Sequence, residues 1–177
     1  MTTRKTISDN KNDKVYTPVE TAKSIISKFN LYGTVLDPFK GGGAFYDNYP
    51  TTVEKDWCEI DLGKDFFDYT KHVDWIVSNP PYSIFGAVLE HSMKIADNIV
   101  YLIPLNKLTS SFSRVKEVQA YGGVPYLYLI SPKACNFPFG FCTCAVWIKK
   151  GYTGKTTIEI ADDYEIISKN SEVLENG

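Results

Sequence analysis

Residues 76–83 read Ile-Val-Ser-Asn-Pro-Pro-Tyr-Ser, an apolar run that stops at two prolines and then presents an aromatic ring. Asn79 supplies a side-chain amide oxygen, and the Pro80 carbonyl supplies a second acceptor. Neither proline carries an N–H, so the stretch is not absorbed into a helix or a ladder. The residue before a proline is held extended, and the Pro80 carbonyl therefore projects at a set angle. Two acceptors in fixed geometry match the two donors of an exocyclic amino group, and Tyr82 can stack on the flat ring that bears it. The lone pair of such an amine is delocalised into its ring and is a poor nucleophile. Holding both hydrogens out of the ring plane drives the nitrogen towards tetrahedral geometry. The freed pair can then attack an adjacent activated methyl group in line. Positioning and preorganised acceptors supply much of the rate, and no metal is required.

A methyl donor needs its own pocket, and residues 35–45, VLDPFKGGGAF, outline one. Asp37 closes a short apolar run, and Gly41, Gly42 and Gly43 follow. A turn without Cβ atoms lets a ligand lie against the backbone, and ligands of open α/β sheets bind at the carboxyl ends of strands. The spacing is neither the G-x-G-x-x-G fingerprint nor a phosphate loop with Gly-Lys-Ser/Thr. Glu59 falls where nucleotide-binding α/β proteins place an acid for the ribose hydroxyls, with Asp61 a competitor for that role. Asp65 offers a polar edge and Phe66 a face to an adenine. Any one of these acids alone reads as a surface residue. Together they fit an adenosine-bearing ligand, and the one that carries an activated methyl group is S-adenosylmethionine.

These residues need a scaffold. Thr17 and Pro18 suit an N-cap and a first helical turn. Val19, Ala22, Ile25, Ile26 and Phe29 then recur at helical spacing, up to Gly33. Strands are expected over residues 34–36, 57–60, 73–78 and 98–104, and helices over 84–96 and 112–120. Two further strands, 124–130 and 142–150, form a hairpin-like pair around a loop holding Pro132, Pro138 and Gly140. Strands alternating with helices and then a β pair predict an α/β fold, a mostly parallel sheet with an antiparallel closing pair. One domain over 15–150 is expected, with a polar, flexible arm over 1–14 and an acidic tail over 151–177.

The chain has 177 residues, 44% of them hydrophobic and 14% aromatic, enough for one real core. No apolar run is long enough to cross a bilayer, and no signal-peptide core opens the chain, so no membrane partner and a cytoplasmic location are expected. Cys135, Cys142 and Cys144 form C-x6-C-x-C without a nearby histidine, which matches no common zinc pattern. With Cys58 they read as reduced, packed thiols, and no metal site is expected. His72 and His91 read as surface or packing residues. The net charge of −2 is unevenly spread: residues 92–150 carry +5, whereas 15–91 carry −5 and 151–177 carry −4. Lys107, Arg114, Lys116 and Lys133 lie in that positive stretch and could face phosphates.

On these motifs the chain resembles the N6-adenine DNA methyltransferases. DPFKGGGAF is similar to their cofactor motif, NPPY to their catalytic motif, and VYTP, residues 15–18, to their N-terminal motif. The motif order resembles that of the γ-type members, over roughly residues 15–150. The resemblance implies a Rossmann-like S-adenosylmethionine-dependent methyltransferase fold and methyl transfer to adenine N6 in DNA. Tyr16, Thr17, Pro18, Asp37, Phe39, Gly41, Gly43, Glu59, Asp65 and Phe66 would line the cofactor site. Asn79, Pro80, Pro81 and Tyr82 would hold the amine. A later aromatic, Phe139 before Phe137 or Phe141, would meet the other face of the base, and Lys107 and Arg114 would contact the substrate. Lys40 stands where the family has a small residue. The stretch between Glu59 and Asp65 is short for the helix found there in the family, and no recognition domain of ordinary size is expected in the 27 residues after Lys150. DNA specificity is then expected from the basic loops, a second copy of the chain or a specificity partner. RNA bases and protein glutamine amides are the alternative substrates, and a non-catalytic binding subunit is the alternative of another class.

Overall fold

A computed structural model describes residues 15–175, and the expected arm over 1–14 lies outside the described residues. Helix α1 (Val19–Ile26) leads into strands β1 (Thr34–Asp37) and β2 (Glu54–Trp57). Then come β3 (Val73–Ser78), α2 (Phe85–Ile95), β4 (Ala96–Pro104), α3 (Asn106–Thr109) and α4 (Phe112–Tyr121). The chain continues through β5 (Gly122–Ile130), β6 (Thr143–Lys150), β7 (Thr157–Ile160) and α5 (Asp163–Glu175). The strands form one sheet in the order β2-β1-β3-β4-β6-β5-β7. Strand β6 is antiparallel to both β4 and β5, and every other pairing is parallel, so β6 alone runs against the rest.

Pleating sorts the side chains of the central strands to two cores. Ile99, Tyr101 and Ile103 of β4 join Leu36, Ile76 and Val146 under Phe85, Val88 and Leu89 of α2. Val100 and Leu102 join Val35, Val77 and Ala145 on the other face, with Ala22, Ile25 and Ile26 of α1 and Ile166 of α5. Residues of β3 and β4 are buried almost without a break, as strands covered on both faces should be. From β1 the chain passes to β2 on one side and then to β3 on the other. The crevice beyond the carboxyl ends of β1 and β3 is therefore the switch point of the sheet, where α/β proteins hold ligands.

Three local expectations are corrected. The second strand is Glu54–Trp57, not 57–60: at the sheet edge its EKDW sequence is largely exposed and needs no apolar alternation. Pro18, not Thr17, is the N-cap of α1, because the Thr17 hydroxyl is engaged elsewhere. Residues after Lys150 add β7 to the edge of β5 and dock α5 beside α1, where Asn170 accepts from the Glu20 N–H at 3.1 Å and donates to Thr21 at 3.2 Å. Between β2 and β3 lie two single 3₁₀ turns, Ile60–Leu62 and Phe66–Asp68, in place of the helix that the resembled family has.

Candidate active site

Asp37 and Ser78 end neighbouring parallel strands, which brings the glycine turn and the proline turn to one edge of the sheet. The Ser78 hydroxyl donates to Asp37 Oδ1 at 2.6 Å, and the Phe39 N–H reaches the same oxygen at 3.2 Å. Asp37 is only 1% exposed, and among the described residues its Oδ2 has no hydrogen-bond partner of good geometry. Burial pushes its carboxyl up to about 7, against the pull of Ser78 and of the Phe39 and Tyr46 N–H groups. A buried, unpartnered carboxyl oxygen is costly, and it invites a donor from a ligand.

Beyond Asp37 the turn closes on itself. The Gly43 N–H donates to the Lys40 carbonyl at 2.8 Å, and the Gly41 N–H to Glu59 Oε2 at 2.8 Å. Gly41 and Gly43 have φ of 48° and 87°, backbone that L residues rarely adopt. The Tyr16 ring lies across Gly41 and Gly42, since a Cβ on Gly42 would stand 3.3 Å from it. Glu59, two residues past β2, thus braces the turn, and its other oxygen accepts from the Asp61 N–H at 3.3 Å. Asp65 caps the second 3₁₀ turn through the Phe67 N–H at 2.9 Å. Phe66 is buried edge-on to Phe39 and His91, at 5.3 and 4.8 Å, so Phe39 is the more accessible ring of the pair. The Lys40 ammonium sits 4.7 Å from both the Tyr46 and Trp57 rings.

At the proline turn, Pro80 and Pro81 are buried and Asn79 and Tyr82 half-buried. Asn79 Nδ2 donates to Thr17 Oγ1 at 3.1 Å and to the Val15 carbonyl at 3.4 Å. The Tyr82 hydroxyl donates to Asn79 Oδ1 at 2.7 Å, with the Leu102 carbonyl at 3.2 Å. Residues 15–17 therefore bridge the two turns: Tyr16 covers one, and its neighbours hold the other. The Tyr82 ring meets Phe137 edge-on at 5.7 Å, Phe137 stacks on Phe139 at 5.1 Å, and Phe141 follows at 5.6 Å. Exposure rises along this row, from 8% at Phe137 to 57% at Phe141. Beside it lies a cleft of about 510 Å³ lined by Lys133, Asn136, Phe137 and Phe139.

Lys107 and Arg114 lie together, the Arg114 guanidinium donating to the Lys107 carbonyl and sitting 5.5 Å from the Phe85 ring. Arg114 flanks the first turn of α2, just after Tyr82, where a Cβ on Gly86 would stand 3.2 Å from its guanidinium. Sequence reading missed Ser78 and the pairing of Thr17 with Asn79. The polar Ser-Asn step at the end of an apolar strand was the one available signal for the first. Cys58, Cys135 and Cys144 are buried and Cys142 exposed. Burial pushes the three buried thiols up to about 12, so they are packing groups at neutral pH. Among the described residues no cluster of three or more His, Cys, Asp or Glu could hold a metal ion, and no helix is long and apolar enough to cross a membrane.

No protein-family model and no curated protein sequence matches this chain. Solved structures do. The methyltransferase subunit of a type I restriction-modification system from Streptococcus thermophilus superimposes with a TM-score of 0.65 at 15% identity, over 92% of this chain. A Listeria monocytogenes protein described as a class I S-adenosylmethionine-dependent methyltransferase gives 0.59 at 11% identity, over 89% of this chain and 68% of its own. A Pyrococcus horikoshii protein described as an RNA methyltransferase gives 0.57 at 12% identity, over 78% of this chain and 88% of its own. The fold is that of the Rossmann-like methyltransferases. The chain spans 54% of the length of the Streptococcus subunit.

Proposed function

We propose that this chain is an S-adenosylmethionine-dependent methyltransferase acting on the N6 amine of adenine in DNA. One observation carries the reading: the Asn79 amide oxygen is fixed at the end of β3, beside the end of β1, where the glycine turn follows a buried carboxyl with an unpartnered oxygen. The residues around that turn fit the cofactor on their chemistry. Its ammonium would satisfy Asp37 Oδ2, and the glycine turn under Tyr16, with Phe39, Glu59, Asp65 and Phe66, would take the rest. Bound there, S-adenosylmethionine supplies a methyl group on a sulfonium, electrophilic without further activation.

The chain's own residues do the remainder. Asn79 Oδ1 and the Pro80 carbonyl each accept one N–H of the amine, which localises the nitrogen lone pair. The two prolines hold both acceptors in place, so no reorganisation accompanies the transfer. Tyr82 and the Phe137–Phe139 pair offer aromatic surface to the base, worth about 1–3 kcal/mol per stacked base. That offsets part of the few kcal/mol needed to take a base out of a duplex. Lys107, with Arg114 behind it, offers charge to the backbone. The Streptococcus relative is a subunit of a larger system, and sequence specificity here would come from a partner subunit or a second copy.

Incubating the purified chain with labelled S-adenosylmethionine and separate DNA, RNA and protein pools tests the reading. Label in DNA recovered as N6-methyladenine is expected, and it is lost in Asn79→Ala while cofactor binding persists. Label only in RNA or in glutamine would move the substrate, and absence of cofactor binding would make the chain a binding subunit.

A further inference from the structure

Three contacts hold the Asn79 amide, and one of them, the Val15 carbonyl, decides which way it faces. Its nitrogen lies against the Val15 carbonyl at 3.4 Å and Thr17 Oγ1 at 3.1 Å, and its oxygen lies 2.7 Å from the Tyr82 hydroxyl. Turned over, the amide would set its oxygen against a carbonyl oxygen, which cannot donate. The amide is therefore held with its oxygen away from residues 15 and 17. The Thr17 hydroxyl is buried and makes no cap to α1, whose N-cap is Pro18 with no side-chain bond. It serves Asn79 instead.

Resting on the methyltransferase reading, we propose that Thr17 is a positioning residue: its hydroxyl holds the Asn79 amide in the orientation that the Val15 carbonyl selects, the one in which Oδ1 accepts from the target amine. Chain continuity couples this lock to the other half of the site. Tyr16 stands between the two contacts, and its ring covers Gly41 and Gly42. The segment that lids the glycine turn is thus the segment that aims the acceptor. A ligand that lifts Tyr16 would loosen Asn79, and one that seats Tyr16 would tighten it.

Thr17→Val keeps the shape and removes the acceptor, and Thr17→Ser keeps the acceptor. In ¹⁵N-labelled protein the Asn79 side-chain NH2 pair, assigned by its loss in Asn79→Ala, is expected to show cross-relaxation to Val15 and Thr17. Thr17→Val is expected to weaken the contacts of that NH2 pair to residues 15 and 17, with Thr17→Ser restoring both. In turnover, kcat is expected to fall about tenfold or more in Thr17→Val, the loss of a buried hydrogen bond that orients the acceptor. The S-adenosylmethionine dissociation constant, measured separately by calorimetry, should change by much less than kcat, and Thr17→Ser should recover kcat. A wild-type NH2 pair without contact to Thr17 overturns the proposal whether or not the variants fold. So does a kcat loss that serine does not rescue, or a cofactor affinity that falls in step with kcat. The NMR readout needs no turnover, so a chain that methylates nothing would sink the function while leaving the lock itself decided.

Discussion

Replacing Asp37 by Asn separates what burying this carboxyl costs from what the carboxyl does. Folding buries a carboxyl whose pKa rises from 3.8 to about 7. Between those values the folded chain keeps a proton that the unfolded chain has released, so stability falls as pH rises through the window and is level on either side. Three units at about 1.36 kcal/mol each make a loss of about 4 kcal/mol, complete just above pH 7. Asparagine preserves an acceptor for Ser78 and the Phe39 N–H and cannot ionise. The stability of Asp37→Asn relative to wild type should therefore grow by about 4 kcal/mol between about pH 4 and pH 8. In a domain of this size that corresponds to about 8–16 °C in relative melting temperature. Urea unfolding of both proteins across that range measures it, and taking the difference cancels every other titrating group. A stability difference that does not change with pH would refute the reasoning, because the Asp37 carboxyl would then titrate like an exposed one. The same charge is what an ammonium ligand needs. S-adenosylmethionine should bind wild type more tightly as pH rises, and Asp37→Asn weakly throughout. The more stable protein would be the less competent one.

Gly43→Ala places a side chain at φ 87° with its Cβ 2.5 Å from Asp47 Oδ2. The left-handed backbone alone costs about 1–2 kcal/mol, readable by urea unfolding, and cofactor affinity should drop with it. Tyr82→Phe loses the bond to Asn79 and keeps the ring, so kcat should fall by about tenfold or less. Tyr82→Ala also loses stacking worth about 1–3 kcal/mol, and comparing kcat of the two variants separates the roles. Lys107→Ala should weaken nucleic-acid binding alike on all sequences and lower the slope of log affinity against log salt by about one unit.

How much of this was legible in the sequence depended on burial. Strand β3 is covered on both faces, and its apolar run marked its bounds to the residue, as did the helical spacing of α2 and α4 to within a residue or two. Strand β2 was misplaced because an edge strand of Glu, Lys, Asp and Trp carries no alternation, while the apolar Cys58 and Ile60 just after it do. Strand β7 and helix α5 hide in an acidic stretch for the same reason: Ile158 and Ile160 stay largely exposed, so polarity there does not signal a tail. The proline turn, the glycine turn and the acid after β2 could be named because special backbone geometry demands special residues. The bond that Asn79 donates to Thr17 spans 62 positions, each residue having been assigned a separate role, and only the folded chain shows them paired.

The placement of β6 has a bearing on how the molecule assembles during synthesis. Residues 143–150 slide between two strands that precede them in the chain, β4 and β5, and bond to both. Until they emerge, β5 has no partner in the growing sheet, and a row of backbone donors and acceptors on β4 stays unpaired. Both turns of the crevice are already present by then. The half that carries the glycine and proline turns can thus form early, and a late wedge closes the rest around it.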